Sequence, residues 1–410
     1  MYLLYAPPKK FNVLPYGYFF ISSKTKFYNN VAYCLTQHAY KQHLLRGLVD
    51  ITPPLMVKLR SKRIFNKIVL FAKGGFGDSM WLMPFAKEFR RLNPSCKITV
   101  LTDPKNLALW QGVYYVDFAI ADSYDNISNA IVQADEVFDF SGIATVYENT
   151  VKLDPIEAIF KMSGLALPKI KKDCRPELCL NVEEGLKAEA TLKAGGIDPD
   201  VDKYIVIATE SSTKNRDWPF LYTKYLTKLL KEKGFKIVWL SSNQARKDTT
   251  TITCDCGWEA IISTKTILSN LVITCPNCKT KKTIEINKDD CPTLDLTGKT
   301  SIRDCMAILS LSDCFVGPNS GLMVMATALD IPTVGLFGAF DPRTRTKFYE
   351  RFSFVWGKIK CAPCNEHWHE CDKGFIAPCM KSISPQQVLD AVLILVHTYP
   401  KNVLARKPLI

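Results

Sequence analysis

Two stretches of this chain repeat one local order of elements, and that repetition restricts the fold more than any other feature. Lys67-Ile-Val-Leu-Phe-Ala72 is a short apolar run that reads as a buried strand. The Gly-rich turn Lys73-Gly-Gly-Phe-Gly-Asp78 follows it. Ser79 to Leu92 has helical spacing, with Trp81, Leu82, Phe85, Phe89 and Leu92 on one face, and Lys97-Ile-Thr-Val-Leu-Thr102 is the next strand. Strand, turn, helix, strand is a parallel βαβ unit, the module from which α/β domains are built. A second unit runs from the strand Tyr204-Ile-Val-Ile-Ala208 through an amphipathic helix, Pro219 to Lys233, to the strand Phe235-Lys-Ile-Val-Trp-Leu240. At 410 residues the chain is long enough for two domains, each with its own core. The expected fold class is α/β with two Rossmann-like domains.

The remaining pattern fits around these units. Glu136-Val-Phe-Asp-Phe140 reads as a later strand of the first sheet, and residues 166–203, rich in Lys, Pro and Gly, as the connection between domains. After Leu240 the pattern breaks for about 50 residues and resumes at Leu294-Asp-Leu296. A helix at 301–311, a strand at 313–316, a helix at 320–329, a strand at 332–337 and a final helix from Pro385 to Val396 complete the second domain. An interruption of that length without structure of its own is uncommon inside a compact domain, so residues 245–291 read as an inserted subdomain. The segment before the first unit is aromatic and basic with weak periodicity. A hairpin or loops, then a helix near 34–48, are expected there.

Charge is unevenly placed. Residues 1–67 hold eleven Lys and Arg against a single acid, Asp50, and so contribute +10 of the net +13. A basic arm on a near-neutral remainder suggests a polyanionic partner; the alternative is a solvated surface. No apolar run approaches the roughly 18 residues that a membrane span needs. The start lacks a basic region before its short apolar stretch, so it does not read as a secretory signal. The expectation is a soluble cytoplasmic protein, with peripheral membrane attachment left open.

Three loops carry the candidate chemistry, and each follows a strand and precedes a helix. Glycines in Gly74-Gly-Phe-Gly77-Asp78 let backbone approach a ligand. The plain reading is a tight turn with Asp78 as helix cap. Lys214 and Arg216 lie in the loop at 209–219, at the carboxyl end of a strand, where open α/β sheets bind ligands. Cations there suit phosphates, and the plain reading is a charged surface loop. In Phe315-Val-Gly-Pro-Asn-Ser-Gly-Leu322, Asn319 or Ser320 would cap a helix whose free amides suit a diphosphate.

In this order and spacing, the loops resemble those of the heptosyltransferase-like glycosyltransferases of family 9. The matching stretches are Gly74-Gly-Phe-Gly-Asp78, Arg216-Asp-Trp-Pro219, Leu296-Thr-Gly-Lys-Thr-Ser301, Val316-Gly-Pro-Asn-Ser-Gly321, and Pro332-Thr-Val-Gly-Leu-Phe-Gly338 followed by Asp341-Pro342. The resemblance covers about 66–397 except the insert. It implies the GT-B fold, two Rossmann-like domains facing a cleft. The acceptor domain would span 66–190 and the nucleotide-sugar domain 200–397, with a basic extension at 1–65 and a tail at 398–410. It implies Asp78 as general base, Arg216 as the cation facing the donor phosphates, and Ser320 with Gly321 as the helix start that holds the diphosphate. Gly75, Gly77, Lys214 and Asn319 complete the expected donor-binding set. The chain departs from the family pattern at two points. Asn319 stands where the family has Asp, and a His a few residues further on is replaced near Met323 and Val324.

Eight of the fifteen cysteines fall in two clusters. Cys254-Asp-Cys256 and Cys275-Pro-Asn-Cys278 are two half-sites beside strand-like segments, the pattern of a zinc ribbon. In a reducing compartment such clusters are more often metal sites than disulfides. Four sulfurs leave no open position, so a structural zinc is expected and a catalytic divalent metal is not. The second cluster, Cys361, Cys364, Cys371 and Cys379 with His367 and His369 between them, reads as a second metal site or a local cross-link.

The function expected is inverting glycosyl transfer from a nucleotide-sugar donor. An acceptor hydroxyl is a poor nucleophile until a carboxylate takes its proton. Arg216 and the helix amides would stabilise the leaving diphosphate in place of a metal. The favoured acceptor is a hydroxylated base in DNA, as in phage DNA modification. Support comes from the basic arm and from Lys279, Lys281 and Lys282 beside one ribbon knuckle. The alternatives are lipopolysaccharide or another anionic glycan at a membrane surface, and a non-catalytic protein that binds nucleotide sugars or nucleic acid. Oligomeric state is not legible.

Overall fold

The computed structural model describes residues 2–5, 32–35, 49–50, 65–140, 153–241, 249–254, 256, 259–263, 271–284, 290–364, 371, 373 and 377–400. The chain divides into two compact units. The first comprises Met1–Tyr147 with Pro155–Cys174, and the second Glu148–Asp154 with Arg175–Ile410.

In the first unit, β1 (Tyr2–Tyr5) pairs antiparallel with β2 (Ala32–Leu35) and β3 (Val49–Asp50). Residues 34–35, expected to open a helix, are strand, and the rest of 36–48 lies outside the described residues, as does most of the basic arm. The main sheet consists of β4 (Lys67–Ala72), β5 (Lys97–Thr102), β6 (Phe118–Ala121) and β7 (Glu136–Asp139). Its order is β6-β5-β4-β7, all parallel.

The helix expected over 79–92 is two helices, α1 (Phe76–Trp81) and α2 (Met83–Leu92). Pro84 explains the break, since a residue without an amide fits only the first turn of a helix. On α2, Phe85 packs edge-on against Phe138 at 5.2 Å and Phe140 at 5.1 Å, and this aromatic group is one part of the unit's core, beside a cluster of Val69, Phe71, Leu101 and Ile127. The short helices α3 (Leu107–Trp110), α4 (Tyr124–Val132) and α5 (Pro155–Ser163) complete the unit.

Most of the stretch read as a connection, 166–203, belongs to the second unit and holds the helix α6 (Val182–Ala194). Asn181 caps it and Glu184 reciprocates, so two backbone amides at the helix start are satisfied. Next come β8 (Tyr204–Ala208), α7 (Phe220–Glu232) and β9 (Lys236–Leu240). Then follow the hairpin strands β10 (Thr249–Thr253), β11 (Glu259–Ser263), β12 (Leu271–Thr274) and β13 (Lys281–Ile284). The sheet resumes with β14 (Leu294–Asp295), α8 (Ile302–Ser310), β15 (Cys314–Pro318), α9 (Gly321–Ala328), β16 (Thr333–Phe337) and β17 (Phe352–Trp356). The short α10 (Pro378–Lys381) and α11 (Pro385–Thr398) end the described chain.

The sheet order is β14-β9-β8-β15-β16-β17, all parallel, the doubly wound Rossmann arrangement. The order reverses between β8 and β15, and ligands bind such sheets at that switch point. Strands β8, β15 and β16 are buried along their whole length, which is why their sequences are near-continuous apolar runs.

The insert has a definite place in this topology. β9 and β14 are parallel neighbours, and the crossover joining such strands is ordinarily a helix. Among the described residues this crossover holds two antiparallel hairpins, β10–β11 and β12–β13. In chain order the ribbon takes the place of the crossover helix between β9 and β14. No helix among the described residues is long and apolar enough to cross a membrane.

Candidate functional site

In the first unit the Gly-rich turn ends β4 and starts α1. Gly75 takes the N-cap position and Asp78 lies three residues into the helix, so Asp78 is not the cap. Its Oδ2 accepts a hydrogen bond from the Gly75 amide at 2.8 Å. Gly74 adopts φ 107°, and a Cβ there would lie 2.8 Å from Asp78 Oδ2. Any other residue would be strained and would push the carboxylate away. The Gly74 amide donates to Asp103 Oδ2 at 2.8 Å, and Asn106 donates to the Gly74 carbonyl at 3.2 Å. The turn thus presents Asp78, half-buried, at the carboxyl end of β4. Gly77 is inside α1, and the Gly75 amide is engaged by Asp78. Next to the turn, Lys73 pairs with Asp122. Burial lowers the Lys73 ammonium pKa, opposed by Asp122, Asp103 and Asp139.

In the second unit the loops after β8 and β15 flank the switch point. Lys214 and Arg216 share one 3-10 turn. Asp217 holds the loop by accepting from the Ser211 amide at 2.7 Å, and Trp218 anchors it through a buried bond to the Ile383 carbonyl at 3.0 Å. The Arg216 guanidinium is fixed by three bonds: Nε to Thr213 Oγ1 at 2.7 Å, Nη2 to Ser212 Oγ at 2.6 Å, and Nη1 to the Asn319 carbonyl at 2.8 Å. The last ties the two loops together across the switch point.

Ser320 takes the N-cap position of α9, but its hydroxyl makes no capping bond. Neither Ser320 Oγ nor Asn319 Nδ2 has a hydrogen-bond partner, although both atoms are buried and Asn319 is only 4% exposed. Buried polar groups are nearly always paired, so two orphans beside a helix N-terminus and a fixed guanidinium make an arrangement with the chemistry to hold a ligand rich in acceptor oxygens. Gly321, the first helical residue, belongs to the same start.

Three features of this edge were not anticipated. Thr297 Oγ1, after β14, is a further buried atom without a partner. Phe340, after β16, carries Arg345 at 4.3 Å and Arg216 at 5.9 Å from its ring centroid. Glu210 accepts from Ser241 at 3.0 Å and joins the loop after β8 to the end of β9. Thr297 and Phe340 fall inside or beside stretches already quoted for the resemblance. Their roles depend on which atoms lack partners, which no motif encodes.

The ribbon brings Cys254, Cys256, Cys275 and Cys278 together, with all four sulfurs within 4.8 Å of one another. Cys254 and Cys278 are 3.3 Å apart, and Cys256 and Cys275 are 3.5 Å apart. A tetrahedral metal with bonds of about 2.3 Å needs sulfurs roughly 3.8 Å apart, so the set fits. The second knuckle is shaped by the Lys279 amide donating to the Cys275 carbonyl at 2.9 Å, with Lys279 at φ 62°. The Thr280 hydroxyl and amide hold the Cys278 thiol at about 6. The Cys256 amide pulls Cys254 down, but the proton it shares with Cys278 leaves Cys254 up at about 12.

In the second cluster, Cys379 is buried, Cys361 and Cys371 are half-buried and Cys364 is exposed. Burial, and then the nearby Cys364, Cys371 and Cys361, push the Cys379 thiol up to about 11. His367 and His369 lie outside the described residues.

Glycosyltransferase family 9 (heptosyltransferase) matches residues 258–373, a span that includes the Asn319 loop and the second ribbon knuckle. Solved structures share the fold over most of the chain. A family 9 glycosyl transferase from Veillonella parvula DSM 2008 is 14% identical, covers 82% of this chain and 98% of its own, and has a TM-score of 0.57. The E. coli ADP-heptose lps heptosyltransferase II is 15% identical over 81% of this chain and 99% of its own, with a TM-score of 0.57. The iron-containing dodecameric glycosyltransferase TibC from enterotoxigenic E. coli H10407 is 16% identical over 85% of this chain and 79% of its own, with a TM-score of 0.54. No curated protein matches in sequence.

Proposed function

We infer that this chain, a glycosyltransferase of the family 9 kind, moves a sugar from a nucleoside diphosphate to an acceptor hydroxyl with inversion at the anomeric carbon. The observation that carries this reading is the pair of buried orphans, Asn319 Nδ2 and Ser320 Oγ, at the start of α9 beside the Arg216 guanidinium. A diphosphate supplies the acceptor oxygens that these groups lack. As the sugar–oxygen bond breaks, charge builds on the diphosphate, and fixed donors stabilise it without reorganising. Asp78 takes the acceptor proton as the hydroxyl oxygen attacks the anomeric carbon from the side opposite the leaving group.

Of the acceptors weighed from sequence, a glycan is favoured over DNA. The E. coli neighbour is named for lps, and of the two supports for the DNA reading the basic arm lies mostly outside the described residues, which leaves the ribbon lysines Lys279, Lys281 and Lys282. The non-catalytic reading is weakened by the presence of both Asp78 on its Gly turn and Arg216 on its braced loop. We assign the ribbon a structural zinc held by Cys254, Cys256, Cys275 and Cys278, although an all-sulfur tetrahedral set also suits iron. The metal would hold the two hairpins together and take no part in transfer.

The test is release of nucleoside diphosphate from ADP-heptose and other nucleoside diphosphate sugars. Asp78→Asn is expected to lower transfer by about 10²–10⁴-fold with nucleoside diphosphate binding near intact. Asn319→Leu is expected to weaken that binding. No turnover and no nucleoside diphosphate binding by the native protein would sink the reading.

A further inference from the structure

We propose that the segment ending β5 and following it is the cradle that aims Asp78, with Asp103 and Asn106 as its positioning residues. This deepens the reading of Asp78 as the base and rests on it. β4 and β5 run parallel with Ala72 opposite Thr102, so their carboxyl ends lie side by side. Residues 102–110 then make four side-chain bonds to the turn that carries Asp78. The Thr102 hydroxyl donates to the Ala72 carbonyl at 2.6 Å. Asp103 Oδ2 accepts from the Gly74 amide at 2.8 Å, and Asn106 donates to the Gly74 carbonyl at 3.2 Å. The Trp110 indole donates to the Ser79 hydroxyl at 2.9 Å. Asp78 is bracketed, with Gly74 held before it and Ser79 after it.

The local fold explains how two side chains grip one glycine. The Asn106 amide donates to the Asp103 carbonyl at 2.8 Å and closes a 3-10 turn over Pro104–Asn106. Positions three apart in such a turn project to the same side. Asp103 thus meets the N–H of Gly74 while Asn106 meets its C=O.

Gly74 is also the residue on which the direction of Asp78 depends. It holds φ 107°, and a Cβ built there would lie 2.8 Å from Asp78 Oδ2. The Gly74 carbonyl and the Gly75 amide belong to one planar peptide. Asn106 holds the carbonyl end of that peptide, and Asp78 accepts from its amide end at 2.8 Å. Rotation of the peptide would carry the carboxylate with it. Glycine is the most permissive residue, and clamping both its polar groups removes that freedom. Thr102, Asn106 and Ser79 are each 0% exposed, so water does not compete for their side chains. A base must lie within hydrogen-bond reach of the hydroxyl it deprotonates, and a displacement of about 1 Å can cost on the order of 10²-fold in rate.

The experiment uses the full chain. Release of nucleoside diphosphate from ADP-heptose, UDP-glucose and GDP-mannose is measured with lipopolysaccharide core as acceptor, and the donor turned over fastest is kept. Asp103→Ala and Asn106→Ala should each lower kcat by about 10–100-fold, with donor KM and nucleoside diphosphate binding changed less than about threefold. Asp103→Asn keeps an oxygen that can accept from the Gly74 amide and should recover most of the rate. Asn106→Asp sets an acceptor against the Gly74 carbonyl at neutral pH and should not. On an Asp78→Asn background, neither alanine change should lower the residual rate more than about twofold, because a residue that acts through Asp78 has nothing left to aim. Single-variant losses of kcat under about threefold, or losses that multiply with that of Asp78→Asn, overturn the inference. Where an alanine variant fails to fold by circular dichroism, the conservative pair decides, and Asp103→Asn as slow as Asn106→Asp overturns it. No turnover by the native protein, or normal turnover by Asp78→Asn, instead overturns the functional reading beneath it.

Discussion

Replacing Arg216 separates a positioned leaving-group cation from a merely structural arginine. Three of its N–H groups are spent on Thr213, Ser212 and the Asn319 carbonyl, which orients the guanidinium at the switch point before any ligand binds. Because the group is fixed, its loss removes a preorganised charge rather than a mobile one. Loss of one such donor typically lowers kcat by about 10²–10³, or roughly 3–4 kcal/mol in the transition state. Arg216→Ala should therefore lower kcat by about that factor and weaken nucleoside diphosphate binding. The three lost bonds, each worth about 1 kcal/mol net, should lower Tm modestly. Arg216→Lys restores the charge but not the planar fork, so it should recover only part of the rate. Steady-state kinetics, calorimetric binding of nucleoside diphosphate and thermal unfolding on the three proteins give the answer. If kcat and binding are unchanged while Tm falls, Arg216 only braces the loop and the phosphate site lies elsewhere.

Native protein should carry one equivalent of metal in the ribbon, and Cys275→Ser with Cys278→Ser should remove it in elemental analysis; full retention would exclude these ligands. Arg303 hydrogen-bonds Glu184 at 2.5 and 2.6 Å and holds its carboxyl below the ordinary 4.5, so the folded chain binds that proton less readily than the unfolded one. The stabilisation from this pair is present above about pH 4.5 and lost as pH falls through the folded value, so Glu184→Gln should cost about 1–2 kcal/mol at neutral pH and nothing in strong acid. A pH-independent gap in unfolding free energy would contradict this. A Cβ at position 357 would lie 1.7 Å from the Cys379 carbonyl oxygen, so Gly357→Ala should destabilise by about 1–3 kcal/mol or more, and an unchanged Tm would disprove the contact.

Much of the fold was legible because its signals are local. A parallel strand buried on both faces is written as a continuous apolar run, and β4, β8, β15 and β16 were all found from such runs. The paired Cys half-sites gave the ribbon, since knuckle spacing is itself a short-range pattern. Weaker local signals were overridden by composition. The Asn181 to Glu184 capping box of α6 was hidden in a stretch rich in Lys, Pro and Gly. Pro84 marked the break between α1 and α2 but was absorbed into a longer helical period.

The sequence by itself determined the α/β class, the doubled βαβ pattern, and the loops that hold Asp78, Arg216 and Asn319. Tertiary structure alone decided what those residues meet. Arg216 reaches Asn319 across 103 positions, and Asp103 reaches the Gly74 amide across 29, because parallel strands bring distant carboxyl ends to one edge. Whether a buried atom such as Asn319 Nδ2 is satisfied depends on every neighbour that packing places around it. The same holds for the ribbon: its ligands are local, but its place as the crossover from β9 to β14 follows from strand order, which is set by pairing energies between segments far apart in the chain.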